Sequence, residues 1–402
     1  MKVMLKYELK RIFTKRLNRV LITIGLALSV ILSFLAATSN RFVSSQGHLE
    51  TGISATRKVV ADKNRNKGLM TPKRISELIT QDQRAFREYK DKGESDKIYG
   101  TSIQQYLDVE QIVSYILTGN EDYNPSVYLD VNPKKLLNIY KIREAKIQKL
   151  IRQNGKTEEQ RKYLKAQYDK ISTPYQYEAP DSWDTMQLYV VTYSIVLAII
   201  VGFICAGIFA DDFQTKADTV FFATKYGRTK AVKTKIVAGI ATTTVVYWSG
   251  IALLSIICFG IMGISGINTP YQMSQAYSIY IMTYGQYYLL TVVCGYIASL
   301  LTATLSMFVA AKMHTVSVAV CIPFFLYCLL PFIGRALSRY TTIFNLVPTI
   351  LTNVEASARA PLVYQIGNHV FRQIPLVMVI YTSVAIVLIP FIYRSFHRYG
   401  RK

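Results

Sequence analysis

Charge is missing from six long stretches of this 402-residue chain: no Asp, Glu, Lys or Arg occurs in Val20–Thr38, Met186–Ala210, Ile236–Gly263, Gln286–Ala311, Thr315–Gly334 or Pro375–Tyr393. An uncharged apolar run of about 18 residues or more is long enough to cross a ~30 Å hydrocarbon core. The absence therefore excludes a soluble enzyme. It also argues against a carrier driven by protons or sodium, because such carriers place ionisable groups inside the bundle. Cysteine is scarce as well. The five are Cys205, Cys258, Cys294, Cys321 and Cys328, all inside apolar stretches, and the charged block Ser39–Asp184 has none. A disulfide framework or zinc site needs closely spaced cysteines in polar surroundings, so neither is expected, and the five read as small buried hydrophobes.

Catalytic signatures are missing too. The four histidines (His48, His314, His369 and His397) are scattered, so no metal-binding pair stands at helical spacing. There is no Gly-x-Ser-x-Gly elbow. Gly155-Lys156-Thr157 imitates the end of a phosphate-binding loop, but Leu150 occupies the place of the required first glycine. The chain thus lacks its own means of hydrolysing ATP, carries no cofactor motif, and reads as not an enzyme.

What is present is helix and asymmetric charge. All six spans are expected to be α-helices, since a chain in lipid must satisfy its own backbone hydrogen bonds. The expected fold is an all-α polytopic membrane protein: an amphipathic elbow helix over 1–19, a first span over 20–38, a helical domain over 39–185, and five further spans over 186–402. The first span also fits a signal peptide ending at Leu35-Ala36-Ala37-Thr38, although its apolar run is longer than a typical signal core. The N-terminus, the 211–235 loop, Lys312 and the tail together hold 18 basic residues against four acidic ones. Short basic loops stay in the cytoplasm. That rule puts both termini inside and Ser39–Asp184 outside, with 25 basic and 20 acidic residues. The net charge of +22 is then an insertion signal and an attraction to anionic lipid, not a nucleic-acid footprint.

Within the outer block, apolar spacing predicts helices over Pro72–Asp91, Ser102–Thr118 and Pro133–Gln153. A Thr157/Gln160 capping box starts another to about Lys170. The block is large enough to bury a core. Tyr175, Tyr177 and Trp183 before span 2, and Tyr271, Tyr277, Tyr280, Tyr284, Tyr287 and Tyr288 before span 4, fit an interfacial aromatic belt. A cargo exit is the alternative. At the N-terminus, Leu5, Leu9, Ile12, Phe13 and Leu17 form one apolar face of a helix lying in the interface.

The loop between spans 2 and 3 has a distinct pattern. Asp211 and Asp212 end span 2, a short amphipathic stretch with Phe221 and Phe222 follows, Tyr226-Gly227 breaks it, and Arg228 to Lys235 open span 3. Exposed phenylalanines on such a helix suit a partner's groove. An interfacial loop whose basic residues hold topology is the plainer reading.

In these features the chain resembles the permease subunits of ABC type-2 exporters. The family pattern is an elbow helix, a span, an external region, and a second span ending in an acidic residue. An Arg follows sixteen or seventeen residues later, and a Lys seven after that. Asp211 or Asp212, Arg228 and Lys235 stand at those positions, and Phe344-Asn345-Leu346-Val347-Pro348 is similar to the family's irregular external segment. Tyr226-Gly227 departs from the Pro or Ser common before the Arg. The resemblance covers the membrane part and not the outer block.

It implies a plasma-membrane permease that exports an amphipathic or lipophilic cargo such as a peptide, drug or lipid. It also implies a separate cytoplasmic ABC ATPase that supplies ATP, a second permease copy or paralogue, and a coupling loop of Asp211, Asp212, Phe221, Phe222, Arg228 and Lys235. Thr243, Tyr247 and Trp248 in span 3 and Ser299 and Ser306 in span 4 are candidates for a cargo path. Small residues in line also serve helix packing, and threonines bond back to their own helix. The alternative function is a non-transporting receptor or scaffold whose external domain senses a ligand.

Overall fold

The computed structural model describes residues 2–90, 95–119, 125–337 and 342–398. Asp91, Arg339, Arg401 and Lys402, which entered the sequence reading, lie outside them. Among the described residues, six helices are long and apolar enough to span a membrane: span 1 (Arg16–Thr38), span 2 (Asp181–Gln214), span 3 (Gly227–Met262), span 4 (Tyr284–Met313), span 5 (Val316–Ile333) and span 6 (Gln373–His397). The chain is an all-α multi-pass membrane protein. Spans 1, 2, 3, 4 and 6 overrun their uncharged stretches at one or both ends. Absence of charge marks only the part in hydrocarbon, and helices continue into polar surroundings where ionic side chains find partners.

Spans 2 and 4 form the centre, with 78% and 61% of their apolar windows buried, against 28%, 22% and 17% for spans 1, 5 and 6. Small residues set the close approach. A Cβ at Gly295 would collide with the hydroxyl of Tyr247 and with Ser194, and one at Gly202 would press on Pro323 and Thr302. Span 4 opens with a capping box. Thr283 Oγ1 accepts from Gln286 N at 3.3 Å, and Gln286 Oε1 accepts from Thr283 N at 3.0 Å. Span 5 carries Pro323 and then a π-helical turn at Phe325–Leu329, which absorbs the lost backbone bond.

The N-terminal helix (Lys2–Thr14) is split from span 1 at Lys15, whose ψ of 125° is extended. Leu5, Leu9, Ile12 and Phe13 pack against spans of the bundle. Leu17 does not join them; it falls beyond the break and is exposed.

The polar domain between spans 1 and 2 is mostly helical. Its main helices are Ile53–Lys63, Pro72–Lys90, Gln104–Thr118, Ile139–Asn154 and Glu158–Tyr168. The single helix expected over Pro133–Gln153 is two, broken at Leu137–Asn138. Thr157 caps the last helix by accepting from Gln160 N, but the Gln160 side chain reaches Lys156 N instead of Thr157 N. The expected capping box is therefore one-sided. Two short β-hairpins and one two-residue pair add strands that the helical periodicity did not indicate. In one hairpin, Val363–Ile366 pairs with His369–Arg372 across Gly367-Asn368, where Gly367 takes a positive φ of 60°.

The domain is not a detachable lobe. Its core of Ile75, Ile79, Val113, Ile116, Leu136 and Tyr177 includes Met273 and Ala276 from the loop between spans 3 and 4. Ile147, Ile151, Leu164 and Tyr168 share a second core with spans 4 to 6. Most of the tyrosines read as an interfacial belt are in the interior, with Tyr277 and Tyr288 half-buried. Tyr175, Tyr177, Tyr271, Tyr280, Tyr284 and Tyr287 are all buried. A belt faces a water–lipid boundary, whereas these six side chains are packed inside the protein. Cys205, Cys258 and Cys294 are buried as expected, whereas Cys321 is exposed on span 5 and Cys328 is half-buried.

Candidate functional site

At the end of the bundle that carries the chain's two terminal helices, span 2 ends in Asp211-Asp212 and meets three cations. Lys15 Nζ lies 2.5 Å from Asp211 Oδ2, Arg11 Nη1 lies 2.8 Å from Asp212 Oδ1, and Lys235 Nζ lies 2.8 Å from Asp212 Oδ2. Arg11 also pairs with Glu8 at 2.6 Å, and Lys235 donates to the Ile208 carbonyl at 2.8 Å. Lys235 is only 1% exposed. Burial would lower the Arg11 pKa, but Glu8 and Asp212 together raise it. The network welds the N-terminal helix to spans 2 and 3. Asp212 and Lys235 are the buried members, so removing either one leaves the other with its pairing weakened inside the protein.

Between these anchors runs the short helix Asp218–Ala223. Phe221 and Phe222 were expected to be exposed. They are half-buried instead, against Phe396 at centroid distances of 5.7 and 5.1 Å, with Phe222 also 6.3 Å from Phe213. The Arg228 guanidinium covers Phe222 at 4.6 Å, and Lys235 Nζ stands over Phe221 at 5.3 Å. Both are cation–π distances. His397 Nδ1 donates to the Arg228 carbonyl at 2.7 Å, which ties the loop to the end of span 6. The correction has a simple cause: an aromatic pair beside a bundle end gains more by covering apolar surface than by facing water. Val220, 70% exposed, and Tyr226 are the large apolar side chains of the loop that face outward. Gly227 is required by geometry, since a Cβ there would overlap the Phe221 carbonyl. The six residues assigned to the loop are thus brought together, as an anchored lever and not as an open hook.

The residues assigned to a cargo path lie elsewhere. Thr243 is buried and bonds to the Gly239 carbonyl at 2.9 Å. Tyr247 donates to the Val292 carbonyl at 2.7 Å. Ser299 and Ser306 are buried with hydroxyls lacking partners. Trp248 is partly exposed and packs on Tyr296. The first four form the contacts among spans 2, 3 and 4, and none of the five lines the cavities described next.

Of the cavities on the domain side, two are bordered by the helix Val354–Arg359. One, of about 530 Å³, is bordered by span 2, span 5 and the irregular segment that includes Phe344–Pro348, with Val191, Ile195, Phe344, Ile350 and Leu362 in its wall. That segment forms two 3₁₀ turns, Thr342–Leu346 and Pro348–Thr352. The other cavity, of about 240 Å³, is polar, with Asp184, Gln187, Tyr271, Tyr287, Glu355 and Arg359 among its lining.

Nearby is a buried cluster that spacing alone did not reveal. Lys63 Nζ sits 2.8 Å from Asp108 and 2.7 Å from Asp181, and the Tyr177 hydroxyl donates to Asp108 at 2.8 Å. Burial acts to lower the Lys63 pKa, but the two carboxylates raise it overall. The group joins two domain helices to the start of span 2. Its members are 45 and 73 residues apart in sequence, so only tertiary folding brings them together.

Among the described residues no group of three or more His, Cys, Asp or Glu is placed to hold a metal ion. The fold and these sites define a six-span helical membrane protein with a polar helical domain inserted between its first two spans. No family model matches the chain, and no curated protein or solved structure matches it significantly.

Proposed function

We propose that the chain is the permease subunit of an ATP-driven exporter in the plasma membrane, with both termini in the cytoplasm. A separate ABC ATPase docks on the 211–235 loop, and the permease works as a pair with a second copy or a paralogue. The observation that carries this reading is the anchoring of the loop. One element is tied by ion pairs to the N-terminal helix and spans 2 and 3, and by aromatic packing and a hydrogen bond to span 6. A push on Val220 and Tyr226 therefore acts on four elements at once. ATP binding can shift the bundle only by the differential affinity of the ATPase for its two states, and a rigid lever transmits that difference without loss in a soft loop.

The cargo in this reading is amphipathic or lipophilic. The 530 Å³ cavity with its apolar wall falls in the range of pockets for such molecules, roughly 300–1,000 Å³. The receptor reading has one observation in its favour: the Lys63–Asp108–Asp181 cluster links the polar domain directly to span 2. The test is mild-detergent affinity purification of the wild type beside Val220→Asp/Tyr226→Asp, which changes the outward groups and spares the phenylalanines. Copurification of a Walker-motif ATPase with the wild type alone supports transport. A kinase or protease in its place supports the receptor.

A further inference from the structure

The 240 Å³ cavity on the domain side has the chemistry of a cation site. Its lining comes from five separate elements: Gln111 from a domain helix, Asp184 and Gln187 from span 2, Tyr271 from a short turn before span 4, Tyr287 from the start of span 4, and Glu355 and Arg359 from the short helix beyond span 5. Charge in it is unbalanced. Glu355 is paired with Arg359, while among the described residues no cation lies within ion-pairing distance of Asp184. Asp108, Asp181 and Glu355 act on Asp184 as well, opposed by Lys63, which is held between the first two. The local field is therefore negative.

A second observation is independent of charge. Gln187, Tyr271 and Tyr287 are 5%, 2% and 3% exposed; Gln187 Oε1 and the two tyrosine hydroxyls make no well-formed hydrogen bond, their nearest polar neighbours being one another. Gln187 is held by its amide nitrogen to Thr291, so the atom left over is the acceptor. Orphaned buried polar atoms are rare in a folded protein. The Tyr271 and Tyr287 rings lie 4.5 Å apart, and aromatic faces attract cations. One carboxylate, a spare amide oxygen and two tyrosines match an ammonium or guanidinium group, which offers several donors and no acceptor.

We propose that this cavity binds a small organic cation bearing a primary ammonium or guanidinium group. Asp184 is the counter-ion, Gln187 and the tyrosine hydroxyls are acceptors, and the Tyr271–Tyr287 pair supplies the aromatic wall. At about 240 Å³ the space is below the roughly 300 Å³ of the smaller drug-sized pockets, so the ligand is metabolite-sized. This goes beyond the transport reading, because the site is complete in the permease chain and needs no ATPase.

The test uses the full chain in lipid nanodiscs on a Trp248→Phe background. The protein has two tryptophans, so Trp183, one residue from Asp184, then reports alone. Butylguanidinium is titrated against its neutral isostere butylurea. The proposal expects saturable quenching by the cation, with binding weaker by about tenfold or more for butylurea and for Asp184→Asn. Ser274→Phe, which fills the cavity and changes no charge, should abolish the response; it decides the matter if Asp184→Asn fails to fold. Equal responses to the two probes, no saturable response to the cation, or wild-type affinity in a folded Asp184→Asn protein each overturn the proposal. None of these outcomes bears on whether an ATPase copurifies.

Discussion

Replacing Lys63 with Met tests the joint between the polar domain and span 2. The Lys63 ammonium lies within 2.8 Å of both Asp108 and Asp181 and is 5% exposed, so its loss strands two carboxylates in the interior. Breaking a buried ion pair by removing one partner costs about 3–5 kcal/mol. Part of that is recovered in acid, where a stranded carboxyl takes up a proton. The deficit should therefore be largest near neutral pH and shrink on acidification. The triple variant Lys63→Met/Asp108→Asn/Asp181→Asn, which leaves no buried charge in the cluster, should recover most of the loss, since neutralised clusters are often as stable as the ionic ones. Thermal unfolding followed by a thiol-reactive fluorogenic dye suits the protein, because Cys205, Cys258 and Cys294 are buried. Cys321→Ser and Cys328→Ser remove the accessible background. Wild-type stability in Lys63→Met, or a triple variant as unstable as the single one, would refute the reasoning.

Two further perturbations follow from the same physics. Burial pushes the Asp82 carboxyl up to about 6 from an ordinary 3.8, with hydrogen bonds from Ser102 and Glu110 opposing. The native state then holds a proton that the unfolded chain has released, so its stabilising effect is complete below about pH 4 and is lost as pH rises through 6; a gap of about two units corresponds to about 3 kcal/mol. Asp82→Asn should remove that slope and leave the variant more stable than wild type at pH 7, and an unchanged profile would contradict the burial argument. Gly295→Ala, whose Cβ meets the Tyr247 hydroxyl and Ser194, should cost about 1–3 kcal/mol in the same dye assay by forcing span 4 away from its neighbours.

The spans were legible in the sequence because lipid demands an uninterrupted apolar run, and that demand is local. Their ends were not. Asp181, Asp211 and Lys235 sit inside helices, and each is tolerated only through a partner far away in the chain. The same holds for the sites. Asp211, Asp212, Arg228 and Lys235 could be picked out by order and spacing, but the burial of Phe221 and Phe222 depends on Phe396 at the other end of the sequence. The tyrosines before span 4 carried the composition of an interfacial belt, and only tertiary packing turns most of them into core. Asp184, Glu355 and Arg359 share a cavity through tertiary packing alone, without a motif.

The coupling claim is tested most directly by a photo-crosslinking residue placed at Val220, an outward-facing position of the short loop helix, with crosslinking carried out in intact cells. The account predicts a covalent adduct with a polypeptide that binds a photoreactive ATP analogue, and loss of that adduct when Tyr226→Asp is added. Adducts confined to lipid or to a second copy of the chain, with the protein folded and in the membrane, would contradict it.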